Sequence, residues 1–143
     1  MKQKFHKIKT YAFIDSQNLN LGTSKDIFHG RKVIYKGLYR KLKADGYELV
    51  FKPTVKDNIG KPKGNVDAEL VLYAAAIEFP NYDKAVIVSG DGDFYCLHEY
   101  LEKNKKLFKI IIPNRKSESS LLRKFQGYKV FLIRDRDKVE YKQ

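Results

Sequence analysis

A chain of 143 residues, 43% hydrophobic and 13% aromatic, is long enough to bury a core as one domain over 1–143, and no window is apolar for the length that crosses a bilayer. Cys96 is the lone cysteine, which excludes an intramolecular disulfide and a thiolate zinc site; His6, His29 and His98 share no metal-ligand spacing, so any metal is expected to take oxygen ligands. Twenty-nine Lys and Arg against 17 Asp and Glu give a formal net charge of +12, which attracts polyanions and makes nucleic acid the expected partner, with no basic amphipathic helix to suggest a membrane surface.

The basic N-terminal segment 1–9 lacks the apolar stretch of a signal peptide, so a cytoplasmic protein is expected. Lys9-Thr10-Tyr11-Ala12-Phe13-Ile14 reads as the first strand and runs into Asp15. Residues 22–32 mix Gly, Ser, Asp and basic residues without period and read as a long loop. Over 33–44, Ile34, Leu38, Tyr39 and Leu42 recur at helical spacing among cations, and Asp45-Gly46 closes that helix. A second strand is expected over 47–55, weakened towards Pro53. Gly60, Pro62, Gly64 and several lysines then mark 56–65 as a mobile basic loop. From Asn65 the stripe Val66, Leu70, Val71, Ala74 and Ile77 predicts a helix that stops before Pro80 and holds Asp67 in its first turn.

The run Lys84-Ala85-Val86-Ile87-Val88 is β-branched and apolar, and it delivers Ser89-Gly90-Asp91-Gly92-Asp93 to the end of a buried strand. A helix over 93–104 follows, with Phe94, Leu97 and Leu101 inward, then a strand over 107–112 ended by Pro113-Asn114. A short helix over 119–125, a last strand over 129–133 and a charged tail over 134–143 complete the chain. Strands and helices that alternate in this way predict a three-layer α/β/α sandwich around a central, mainly parallel sheet of five strands.

In such a sheet the strand ends and the following helix N-termini share one edge, where ligands bind. Asp15, Asp67, Asp91 and Asp93 are all expected there. Taken singly, each has a plainer reading: Asp91, Asp93 or Asp67 as a helix cap, Asn18 as a turn former, Ser119 as a cap. Acids gathered on one edge of a basic protein repel each other, and a hard divalent cation such as Mg²⁺ or Mn²⁺ removes that conflict. Lys63, on the loop before Asp67, is positioned to contact a phosphate backbone.

Four blocks, Phe13-Ile14-Asp15-Ser16-Gln17-Asn18-Leu19, Lys63-Gly64-Asn65-Val66-Asp67-Ala68-Glu69-Leu70-Val71-Leu72, Val88-Ser89-Gly90-Asp91-Gly92-Asp93-Phe94, and Ile112-Pro113-Asn114 with Ser119-Ser120-Leu121-Leu122, resemble the NYN domain family. The likeness is to its LabA-like branch, within the PIN-like nuclease superfamily, and covers nearly the whole chain. The resemblance implies a PIN-like sandwich and a Mg²⁺- or Mn²⁺-dependent ribonuclease, with RNA favoured over DNA. It also implies Asp15, Asp67, Asp91 and Asp93 as the metal-binding catalytic set, Asn18 as the first-block asparagine, and Ser89, Ser119 and Ser120 as polar residues edging the cleft.

PIN-like relatives often pair, which leaves a homodimer open. Tyr73 stands where many relatives carry a further acid, and Glu69, two residues from Asp67, faces another way on a helix. A single ion, a weakened site, or an RNA-binding module that does not cleave are the alternatives this departure raises. A phosphatase or receiver is disfavoured: Gln17 stands where a dehalogenase-type nucleophile needs a second acid, and no Gly-rich phosphate loop occurs.

Overall fold

The structure is a computed structural model that describes residues 7–23, 37–51, 55–56, 62–63 and 66–139. In chain order its regular elements are β1 (Thr10–Ile14), α1 (Ser16–Thr23), α2 (Leu38–Ala44), β2 (Val55–Lys56), β3 (Pro62–Lys63), α3 (Asp67–Leu72), β4 (Lys84–Val88), α4 (Tyr95–Lys103), β5 (Leu107–Ile112), β6 (Lys129–Phe131) and α5 (Arg136–Val139). The β-branched runs pair in parallel in the order β1-β4-β5-β6, with helices flanking the sheet. Ile87 of β4 and Ile110 and Ile112 of β5 are buried under Phe94, Leu97 and Leu101 on one side of the chain's path and Leu122 and Phe125 further on. A wholly buried Leu or Phe contributes about 2 kcal/mol, which is why these central strands read so clearly as apolar runs.

The sheet has four strands among the described residues, not five. Residues 47–51 carry no ladder, and Tyr47 and Phe51 are largely exposed. Only at Val55–Lys56 does this region pair, antiparallel, with Pro62–Lys63. Proline has no N–H to donate, so Pro53 disqualifies the run from a central position in a sheet. The stretch expected as a plain loop over 56–65 thus contains one arm of a small hairpin, while residues 57–61 and 64–65 lie outside those described.

Helix α1 occupies residues whose Ser and Asn content argues against a helix. Asp15 overrides that propensity: its Oδ1 accepts from the backbone N–H groups of Gln17 and Asn18 at 3.1 and 3.0 Å, an N-terminal cap. The helix then presses on the end of β5, where a Cβ on Gly22 would come within 2.6 Å of the Pro113 Cβ. The start of the expected 33–44 helix lies outside the described residues, and α2 begins at Leu38. Helix α3 gives way to a π turn over Tyr73–Ile77, in which Glu78 N donates to Tyr73 O at 2.8 Å. The segment Ser120–Tyr128 is 3-10 in form, and β6 stops at Phe131 before a 3-10 turn, Leu132–Asp135, and α5.

His98 of α4 is fully buried, its ring 5.4 Å from that of Phe125, and neither nitrogen has a hydrogen-bond partner among the described residues. Burial pushes its pKa down from 6.5 to about 4. The unfolded chain therefore binds a proton at higher pH than the folded one. The contribution of neutral His98 is complete above the unfolded value of 6.5 and is lost as pH falls towards 4, by up to about 3 kcal/mol. Urea unfolding at pH 7 and pH 4.5 is expected to show this loss in the wild-type chain, and His98→Phe to lose markedly less between the two.

Candidate metal centre

The parallel register sets Ile14 beside Val88, so Asp15 and Ser89 leave their strands as neighbours. Asp15 N donates to Val88 O at 3.1 Å, which continues the ladder one step past β1. The Asp15 side chain is buried, 6% exposed, and its second oxygen accepts from Ser89 Oγ at 3.3 Å. Ser89 Oγ accepts in turn from Asp91 N at 3.2 Å. Alongside, Asn18 Oδ1 accepts from Gly90 N at 3.0 Å. The turn after β4 is thus fastened residue by residue to the β1–α1 junction.

Its other side is held by the segment after β5. Ser119 N donates to Gly90 O at 3.0 Å, and a Cβ added to Gly92 would collide with Ser119 Oγ. Glycine is needed at 92 for this close approach. Ser119 also caps the 3-10 segment that follows it, accepting from Leu121 N.

This clamped turn projects Asp91 and Asp93 towards the start of α3, which supplies Asp67. Carboxylate oxygens of the three lie within 4.8 Å of one another. Asp91 caps its own turn, with Oδ1 accepting from Asp93 N at 3.0 Å, so the capping and clustering readings of this residue hold together. Asp67 and Asp91 are half-buried and Asp93 is exposed, which leaves the cluster open to solvent on one side. An all-oxygen set of this span suits a hard divalent cation: Mg²⁺ binds at about 2.1 Å and its opposite ligands stand about 4.2 Å apart, so a shift of under about 1 Å closes the set, with water filling the remainder.

Of the residues expected in the site, Asp67, Asp91 and Asp93 converge. Asp15 lies outside that group and connects to it through Ser89. Ser89 is itself fully buried, and Asn18 faces the Gly90 amide. Ser119 and Ser120 open onto a neighbouring cavity whose wall includes Arg115, Arg123 and Lys129, cations that sequence reasoning did not single out. Glu69 is outside the acidic group, Tyr73 begins the π turn, and the side chain of Lys63 lies outside the described residues.

The structure is thus a parallel α/β sheet with acids gathered at the C-terminal edge of its strands. The chain belongs to the NYN domain family, whose model matches residues 35–132 and which carries the PIN-like nuclease fold. A solved structure of a Vibrio parahaemolyticus protein of unknown function is similar in fold, with a TM-score of 0.68 at 22% identity over 91% of this chain and 96% of that one. None of the curated proteins compared matches the chain.

Ser89→Ala removes both the donor to a buried carboxylate and the acceptor for Asp91 N. The expected cost is about 1–3 kcal/mol, read as a lower denaturant midpoint with an unchanged slope. A variant as stable as the wild-type chain would show that the Asp15–Ser89–Asp91 connection does not stabilise the fold.

Proposed function

We propose that the chain is a Mg²⁺- or Mn²⁺-dependent ribonuclease that hydrolyses RNA phosphodiester bonds at Asp67, Asp91 and Asp93. The observation that carries this reading is the convergence of three carboxylates, from two distant parts of a chain with net charge +12, on one edge of a parallel sheet. The cations elsewhere on the molecule draw in a polyanion, and the acids repel it where they cluster. A divalent cation reconciles the two.

Asp67, Asp91 and Asp93 hold the cation, which when bound supplies a water of lowered pKa and neutralises charge on the transferring phosphoryl group. Asp15 acts as a positioning residue: its carboxylate fixes Ser89, and Ser89 fixes the Asp91 backbone. Asn18 does the same for Gly90. Lys63, Ser119 and Ser120 contact the substrate backbone. No helix among the described residues is long and apolar enough to cross a membrane. We place the activity in the cytoplasm and favour RNA over DNA, with a homodimer compatible with the reading.

Tyr73 and a cluster of three acids where the sequence leads one to expect four favour a second reading, an RNA-binding module of the same fold that does not cleave. Labelled single-stranded RNA and DNA incubated with Mn²⁺, Mg²⁺ or EDTA separates the two. Cleavage of RNA is expected with either metal and not with EDTA. Asp91→Asn is expected to slow it by about 100-fold or more, the scale of losing a principal electrostatic group, while RNA affinity in EDTA stays within a few-fold. Cleavage at the wild-type rate in Asp91→Asn overturns the residue assignment, and binding without cleavage in every metal selects the module. Independently of turnover, millimolar Mn²⁺ is expected to raise the melting temperature of the wild-type chain and leave that of Asp91→Asn unmoved.

A further inference from the structure

Beside the acidic cluster the chain builds a recess of opposite charge. Arg115, Ser119, Ser120, Arg123, Gln126 and Lys129 line a cavity of about 200 Å³, with Glu118 as the one acid in its wall. Glu118 is spent: it pairs with Lys129, whose side chain is 2% exposed, so these two charges cancel inside the wall. Arg115 and Arg123 are exposed and form no ion pair among the described residues, and the Arg115 guanidinium lies 5.4 Å from the Phe131 ring. The cavity therefore offers two guanidinium groups, unpaired among the described residues, together with two hydroxyls and an amide.

A cavity of this size and lining does not suit an apolar ligand. It suits a phosphate group, which takes guanidinium and hydroxyl donors on several sides at once. Arg115 also walls a second, adjoining recess of about 430 Å³, shared with Pro113, Asn114, Lys116 and Ile133. That recess is open and mostly apolar at Pro113 and Ile133, and has room for a flat ring. Arg115 is common to the walls of both.

Their position ties them to the acids. Ser119, on the rim of the basic cavity, bonds through its N–H to Gly90 O and touches Gly92, in the turn that carries Asp91 and Asp93. We propose that the two recesses form one nucleotide subsite for single-stranded nucleic acid: the Arg115–Arg123 cavity binds a phosphate and the Pro113–Ile133 recess binds the adjoining nucleoside. The strand then runs from β6 across Ser119, and a neighbouring phosphodiester reaches the acidic cluster. This subsite presupposes that the cluster acts on phosphodiesters, and it fixes the side from which the strand arrives.

The test is fluorescence anisotropy in EDTA with a labelled single-stranded RNA about ten nucleotides long, over a series of salt concentrations. The paired change Arg115→Ala with Arg123→Ala is expected to weaken binding about tenfold or more and to shrink the salt slope by about 0.7, the value for one phosphate contact on a single strand. Lys103→Ala with Lys105→Ala removes the same charge at the far end of α4 and is expected to change affinity less than about threefold. Arg115→Lys with Arg123→Lys keeps the charge and is expected to restore most of the slope, which separates lost contacts from lost folding. Ile133→Ser is expected to weaken binding a few-fold with the slope unchanged.

Equal affinity for oligomers bearing a 5′-phosphate, a 3′-phosphate or neither assigns an internal phosphate to the cavity. A preference for one phosphorylated end that vanishes in the arginine pair assigns a terminal one. If the arginine pair binds like the wild-type chain, or no worse than the lysine pair, the subsite is overturned while the metal centre stands. If the wild-type chain neither binds nor cleaves RNA, the reading of the metal centre falls, and the subsite falls with it.

Discussion

A carboxylate buried at the end of a strand is costly unless each oxygen is satisfied, and Asp15 meets that condition with two backbone amides of α1 and the hydroxyl of Ser89. This set of bonds is the constraint on which the rest of the edge depends. It starts a helix that its own sequence disfavours, and it draws the turn after β4 against the end of β1. From Ser89 the constraint passes to Asp91 N, and from Asn18 it passes to Gly90. Ser119 grips the same turn from the other side, so three separate stretches of chain agree on one placement for Asp91 and Asp93.

That placement matters because the two aspartates are held beside Asp67 in a molecule whose charge otherwise runs the other way. Free to move, like charges spread apart and the cluster dissolves into solvated caps. Held by backbone bonds at Gly90 and Asp91, they keep a mutual repulsion that a cation relieves. The same edge places two guanidinium groups, unpaired among the described residues, in the cavity that Ser119 borders. Acidic and basic recesses side by side match a polymer of phosphates better than a small anion, because such a polymer occupies both at once.

The fold was legible where burial was unambiguous. The runs at Lys84–Val88 and Leu107–Ile112 are apolar because Ala85, Ile87, Val88, Leu107, Ile110 and Ile112 are buried in the core, and the turn after the first is marked by a glycine that close packing requires. Where local and long-range forces disagreed, the pattern misled. Tyr47 to Val55 has strand composition, yet Pro53 cannot donate to a ladder, and helix α1 has the composition of a turn, yet a cap contributed from β1 stabilises it. In the site, the residue types were readable and their depth was not. Asp15 carries the same side chain as Asp91, and only the register that sets it beside Ser89 buries it. Nothing in the sequence marks Arg115 and Arg123 out from the other cations among 29, because the cavity they share is made by a turn after β5 and a 3-10 segment that come together only in the folded chain.

The most direct measurement of the central claim is a crystal structure of the chain grown with manganese, with anomalous data collected at the metal's absorption edge. A single strong anomalous peak within coordination distance of Asp67, Asp91 and Asp93, with the Asp15 carboxylate still bonded to Ser89, is the predicted result. Carboxylates that point apart with no peak among them, or manganese bound only elsewhere on the surface, would contradict it.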